Sequence, residues 1–418
     1  MMRTFHKKQK NKRLVFSIIL SVLLVTTTLS SMSGASRTTD NTITEDVVVL
    51  NTNFLQYEFE FLEPELVEFT LFEEEFTKIN MPGTSNIGRI AGDPAMPVSF
   101  VKILLPAKTT VKSIQATGNL VEVESSLNLI DRPIVPHQDP TPIGQASSQQ
   151  IIKNDQLYQS SEEYPGQMHE EQNVGYSRGY SILTVALMPV QYSPSDGKIL
   201  YYPKITMDIE LEDNDQVNQF FRNDYDDEQC VKNLVINPEI TDSYKGEIAP
   251  IGYPGGLCDP GDDYDYVIIT TTYNGLDYWS TGGSLVYNWD DLMDKHYADD
   301  GLDCTLVTIQ DIDACTDYHN ADPLFNDLEA HIREFCKDAY EDWETDYVFI
   351  GGDAEWIPAR LMDTSYESNI DSDIYWSNLD NNFNADEDYY WGEEGDAGFD
   401  LYSEIFIGRI TCDEPQDV

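Results

Sequence analysis

The sequence predicts two folded parts in series: a β-rich domain, then an α/β domain built on a mostly parallel sheet. Three observations predict it. Short runs of β-branched and aromatic residues, broken by Pro and Gly, recur through the first 245 residues. A Gly- and Pro-dense stretch at 246–263 then interrupts the chain. Beyond it, apolar strand-like runs alternate with stretches of helical spacing, the grammar of strands joined by crossover helices. The chain has 418 residues, room for two or three domains, and 41% of them are apolar, which excludes wholesale disorder despite the charge.

Residues 1–35 read as a secretory signal peptide. Arg3, Lys7, Lys8, Lys10, Lys12 and Arg13 precede an apolar run from Leu14 to Val25, and Ser33-Gly34-Ala35 supplies small residues for cleavage. The run is shorter than the ~18 residues of a spanning helix, so no stable membrane span is expected after cleavage. From 45 to 245 the chain reads as strands, among them Val47–Leu50, Gln56–Phe61, Val67–Leu71, Val98–Leu105, Ser181–Leu187, Lys198–Tyr202 and Ile205–Leu211. Residues 132–173, rich in Pro, Gln, Ser and Glu, read as a long loop. Gly246, Pro250, Gly252, Pro254, Gly255, Gly256, Pro260 and Gly261 make 246–263 a linker, and 264–418 the second domain. There Tyr266–Thr271, Cys304–Ile309, Tyr347–Ile350 and Ile405–Ile407 read as strands. Leu285–Tyr297 reads as a helix, and so does the series Leu324, Leu328, Ile332, Phe335 and Ala339.

Asp and Glu number 75 against 25 Lys and Arg, a formal charge of −50. Six of the basic residues and no acid precede residue 36, so the mature chain carries 19 basic and 75 acidic side chains, a charge of −56. Nucleic acid is excluded as a partner, because two polyanions repel. A salt-adapted surface and bound hard cations remain as explanations. The six cysteines are an even number, compatible with pairing in an exported protein, but they form no Cys-x-x-Cys. Zinc is not expected, since no His or Cys cluster along the chain.

Residues 371–400 hold ten acids and no Lys or Arg. Asp380, Asn382, Asn384, Asp386 and Asp388 recur at every second position, and Glu393, Asp396 and Asp400 follow. This much like charge in one loop is unfavourable without a cation, and calcium takes six to eight such oxygens. These eight residues are the predicted calcium ligands. The segment is not an EF-hand, because Ala385 and Trp391 stand where Gly and Glu would be. Asp353 ends a strand, and both it and Asp373 suit either a site or a loop cap. Arg409 suits a structural tie to a carboxylate. His331 is expected at the surface or edge of its helix, and Cys315 and His319 in a polar loop, without chemistry.

The second half resembles the gingipain family of secreted cysteine peptidases. Carrying the resemblance are the Tyr266–Thr271 strand, Trp289, Val307-Thr308 with Asp311-Ile312, Tyr347–Pro358 (YVFIGGDAEWIP), Ser372-Asp373 with Tyr375, and Glu404–Ile410. The first half is similar to that family's propeptide through Gly92-Asp93-Pro94-Ala95-Met96-Pro97, Leu104-Leu105-Pro106, Arg178-Gly179-Tyr180 and Pro189–Pro194. The resemblance implies a caspase-like α/β fold for the second half, protein or peptide substrates, a structural calcium, a secreted or cell-surface location, and peptide-bond hydrolysis by a Cys-His dyad. The family's histidine lies in a Gly-His-Gly context that does not occur here, and its nucleophile follows later still. The chain is therefore expected to stop before the dyad, to lack catalytic residues, and to be inactive as it stands. The competing expectation is a non-catalytic, calcium-binding extracellular protein.

Overall fold

A computed structural model describes residues 48–51, 53–140, 150–214, 217–247, 252–273, 288–363, 368–393, 396 and 402–412. The predicted signal peptide lies outside the described residues.

The first half folds from β1 (Val48–Asn51), β2 (Phe54–Glu60), β3 (Glu65–Leu71), β4 (Glu74–Asn80), β5 (Ser85–Ile87), β6 (Met96–Leu104), β7 (Thr109–Gly118) and β8 (Val121–Glu122). The short helix α1 (Asp155–Tyr158) precedes β9 (His169–Ser177), β10 (Tyr180–Leu187), β11 (Val190–Ser193), β12 (Lys198–Tyr201) and β13 (Lys204–Asp213). Two four-stranded sheets, ordered β1-β2-β13-β7 and β5-β6-β10-β9, dominate it, and all their pairings are antiparallel. Alternation makes the sandwich. Leu55, Tyr57 and Phe59 of β2 and Met207, Ile209 and Leu211 of β13 point into one core, where Val101, Ile103, Leu183, Val185 and Leu187 meet them. Each such side chain contributes about 1.5–3 kcal/mol by leaving water. The exposed ion pair Lys204–Glu58 on the opposite face adds far less, so the inward set fixes the register.

The expected loop at 132–173 is irregular through most of its described residues but is tied down, and it ends in a strand. Its polar composition hid two anchors: Ile134 and Val135 are buried, and across an isolated parallel bridge between Thr77 and Ile134 the Thr77 N–H donates to the Pro133 carbonyl while the Thr77 carbonyl accepts from Val135 N–H. Tyr164 makes another bridge, to Tyr192, and a full strand begins at His169. After β13, α2 (Tyr225–Lys232) is capped by Asp224 and, with Phe221, Val235 and Tyr244, covers the outer face of β6 and β10. Gly179 turns β9 into β10 at φ 77°, and a Cβ there would stand 2.3 Å from the Phe221 backbone, so only glycine fits.

The second half is a four-stranded parallel sheet in the order β15 (Cys304–Thr308), β14 (Tyr266–Thr270), β16 (Tyr347–Gly351), β19 (Phe406–Ile410). The small hairpin of β17 (Arg360–Met362) and β18 (Ile370–Ser372) lies apart from it. Successive residues of β14 face opposite ways. Tyr266 and Ile268 pack with α3 (Trp289–Asp299), while Val267 and Ile269 pack with α5 (Leu328–Asp342). Helix α4 (Ile309–Ala314) follows β15, and the short α6 (Ile374–Ser377) precedes the acidic segment.

Four expectations shift here. Helix α3 starts at Trp289, because Asn288 and Asp291 form a capping box there; residues 285–287 lie outside the described residues. The helix expected from Leu324 is a 3-10 turn at Pro323–Phe325, and α5 begins only after Asp327 caps it. The 246–263 linker is docked in its described part: Leu257 and Cys258 donate backbone bonds to the Asp338 carboxylate, and Cys258 is buried. All six cysteines are free, so the expected pairing is absent from the structure.

Candidate functional site

In a parallel sheet, sites lie beyond the carboxyl ends of the strands. Strand β16 ends there in Gly351-Gly352-Asp353. A Cβ on Gly351 would sit 2.7 Å from the Trp289 ring, so the glycine lets the strand pass under α3. Asp353 closes the following turn: its carbonyl accepts from Trp356 and Ile357 N–H, and its side-chain Oδ1 accepts from Ala354 N–H at 2.6 Å, a local cap on the loop. Arg409 joins three sequence elements at this end. Its guanidinium makes a two-point contact with Asp373 (Nε–Oδ2 2.9 Å, Nη2–Oδ1 2.7 Å) and donates to the carbonyls of Gly352 and Ile357, both at 2.9 Å. The predicted tie is present, and it binds the Gly-Asp-x-x-x-Ile-Pro, Ser-Asp-x-x-Tyr and Gly-Arg stretches into one ledge. Thr308 and Asp311, noted in the sequence, are the cap of α4.

The acidic segment crosses the same half. Some of its aromatic residues face inward: Phe383 and Trp391 are buried, and Arg333 and Arg360 stack between them and Tyr375, whereas Tyr389 and Tyr390 are exposed. Its acids divide by task. Asp380 accepts from Asn218 of the first half. Asn382 and Asn384 spend side-chain oxygens on the backbone N–H of Asn384 and Asp388. Asp396 is buried and accepts from Ala385 and Gly392 N–H. Asp386, Asp388 and Glu393 converge, each offering a carboxylate oxygen within 4.8 Å of the others. Asp400 lies outside the described residues.

One carboxylate escaped the sequence reading. Asp363, outside the acidic run, is 7% exposed, and its Oδ1 is buried without a hydrogen-bond partner. Burial first, and then Asp388, Asp386, Asp396 and Asp363, push the Glu393 carboxyl up. Crowded carboxylates with an orphaned oxygen are a donor set that fits a hard divalent cation. Only the short hydrophobic strand before Asp363 could have flagged it.

At the opposite, amino end of the sheet, the two halves meet. Arg178, 3% exposed, donates from Nη1 to Asp227 (2.5 Å) and to Asp346 (2.9 Å), just before β16. Arg222 donates to the same two carboxylates, Nη2 lying 2.8 Å from each, and stacks over Tyr340. The Arg178 backbone N–H reaches the buried Glu404 (3.2 Å), just before β19. Phe220 enters the core of the second half, and Tyr340 donates to its carbonyl. Burial pushes the Asp346 carboxyl up, but the two arginines outweigh it and hold it below its ordinary value.

Four of the six thiols are pushed up by their surroundings. Burial pushes Cys336 up to about 12 and Cys304 up to about 11, and it also raises Cys230 and Cys258, the wrong direction for a nucleophile. Cys315 packs against the main core beside a 3-10 turn. His331 is corrected from surface to core: it is 4% exposed, and Nδ1 lies 2.9 Å from Asp313. The absence of any His cluster is corrected too, since His319 and His331 stack with ring centroids 4.1 Å apart. They are distant in sequence, and only the reversal from α4 into α5 joins them.

Two family models match the chain. Peptidase family C25 matches residues 259–418, and Propeptide_C25 matches residues 39–237. No curated protein matches. Among solved structures, the chain is similar to one described as a complex of Porphyromonas gingivalis RgpB pro- and mature domains. Identity there is 14%, the match covers 47% of this chain and 96% of that one, and the TM-score is 0.37. It is similar to another described as giving structural insight into zymogenic latency of gingipain K from Porphyromonas gingivalis. That match is 18% identical, covers 43% of this chain and 97% of that one, and has a TM-score of 0.36.

Proposed function

The chain belongs to the gingipain family, C25, with the family's propeptide ahead of its peptidase segment, and from this premise we infer that it is an exported precursor of a cysteine endopeptidase whose first half holds the second in a latent state. The supporting observation is the buried cluster of Arg178, Arg222, Asp227 and Asp346, which seats one half on the other. Such a precursor hydrolyses peptide bonds by thiolate attack, with an imidazole moving the proton. The raised thiols and the docked histidines support assigning that dyad to none of the described residues. On this reading residues 264–412 are the scaffold that presents the reacting groups, and residues 1–418 alone turn over no peptide. The basic, then apolar, start of the chain supports export. No described helix is long and apolar enough to cross a membrane.

The same reading gives the acidic segment a structural calcium. Asp386, Asp388 and Glu393 would hold it with Asp363, and the ion would offset their mutual repulsion. Asn384 and Asp396 shape the loop around them.

Two assays test the reading. The protein as its cell makes it, cut between the halves, develops peptide hydrolysis that a thiol alkylating agent abolishes; failure to develop it removes the peptidase reading. Residues 1–418 show no turnover, and turnover that survives Cys315→Ala would move the dyad elsewhere in this chain. For calcium, calorimetric titration shows binding that is lost in the Asp386→Ala/Asp388→Ala/Glu393→Gln variant. At 100 times Kd the ion adds about 2.7 kcal/mol of stability. Unchanged affinity in the variant would remove these ligands.

A further inference from the structure

The turn between α4 and α5 carries a second set of metal-binding side chains, unlike the first in chemistry. Asp313 lies near the end of α4, His319 just after the following 3-10 turn, and His331 in the first turns of α5. One ligand atom from each lies within 4.8 Å of the others.

The hydrogen bonds assign the tautomers. Asn326 Oδ1 accepts the Asn320 backbone N–H at 2.8 Å, which fixes it as the oxygen. His331 Nε2, at 3.1 Å from that oxygen, must therefore carry hydrogen. In the neutral ring Nδ1 is then a bare lone pair, yet it lies 2.9 Å from the Asp313 carboxylate. Two acceptors that close need something positive between or beside them. His319 repeats the pattern: its Nε2 lies 2.9 Å from the Asp313 carbonyl and donates to it, which leaves Nδ1 as the lone pair. His331 thus spends its N–H on an amide carbonyl while its lone pair faces the carboxylate, the arrangement that orients a metal-ligating histidine.

We propose that Asp313, His319 and His331 bind a divalent transition-metal ion such as zinc, clipping the end of α4 to the start of α5. Two imidazoles and one carboxylate are the three-ligand set of an open site, with water completing the coordination. Bonds of about 2.0–2.1 Å give tetrahedral edges of about 3.3 Å. The 2.9 Å pair is near that length; the exposed His319 ring, stacked on His331, must leave that stack and the Asp313 carbonyl and turn a nitrogen to the ion to become the third ligand. The exposed Asp313 leaves the ion a path from solvent. Calcium does not suit this set, which offers nitrogen where calcium takes oxygen.

The test uses the full chain, stripped with a chelator and held in excess calcium so that the acidic segment is saturated. Cobalt(II) is titrated in and followed by its visible absorption, then displaced by zinc(II). One equivalent binds tetrahedrally. His319→Ala, at an exposed position, and His331→Gln each weaken zinc by roughly tenfold or more, and Asn326→Leu weakens it less. If the wild-type chain takes up no zinc, the close Nδ1–carboxylate contact is an ordinary protonated ion pair and the site does not exist. Binding left intact by His319→Ala and His331→Gln together overturns the assignment equally.

Discussion

The two ends of the parallel sheet are each held by arginine, but to different effect. At the carboxyl end, Arg409 ties Asp373 and two carbonyls, all within the second half. At the amino end, Arg178 and Arg222 come from the first half and grip Asp346, 168 residues from Arg178. The first tie shapes a ledge where chemistry belongs. The second joins two folding units away from that ledge. The first half is thus anchored away from the carboxyl ends of the strands.

Breaking the amino-end cluster has the largest effect. Asp227→Ala strands two arginines in a buried site and costs about 3–5 kcal/mol, read as a lower denaturation midpoint for the whole chain. Equal midpoints for the variant and the wild type would show that the halves do not depend on this contact. At the carboxyl end, Asp373→Asn removes one charge from a partly exposed pair and costs about 2 kcal/mol. That loss is confined to the second half and shows as faster hydrogen exchange at Gly352 and Ile357. Exchange that speeds up equally in the first-half sandwich would erase the distinction between the two ends.

The smallest effect is a slope with pH. Burial pushes the Asp338 carboxyl up to about 6, against hydrogen bonds from Tyr318 and Cys258. In the unfolded chain an aspartate titrates near its ordinary value of about 3.9. Between the two values the folded state holds more protons, so Asp338 costs stability above about pH 6, and that cost fades as pH falls toward 4. Asp346 acts in the opposite sense. Its depressed carboxyl contributes fully above the ordinary carboxylate range and is lost as pH falls below it. Burial also pushes the Glu341 carboxyl up to about 7, so Asp338→Asn shrinks the slope between pH 4 and 6 without abolishing it; a slope unchanged in the variant would contradict the assignment to Asp338.

Local pattern made the strands legible. Inward alternation in β2 and β13, and the unbroken apolar run of β14, state both period and class. Arg409 was legible as a tie because a lone arginine after an apolar strand needs a carboxylate. The docked 132–173 stretch was hidden because its anchors are single residues, Ile134, Val135 and Tyr164, in a polar background. His331 was misplaced because its partners Asp313 and Asn326 are met only after the chain turns back. Asp363 was missed because its company is set by tertiary approach and not by spacing.

The central claim is that the first half is seated on the amino end of the parallel sheet. An engineered cleavage site between residues 245 and 252 leaves Arg178, Phe220 and Arg222 on one fragment and Asp346 on the other. After cutting at neutral pH, native gel filtration gives one species of the original size, because the buried cluster and Phe220 still hold the fragments together. Two separately eluting fragments under the same conditions would contradict the account.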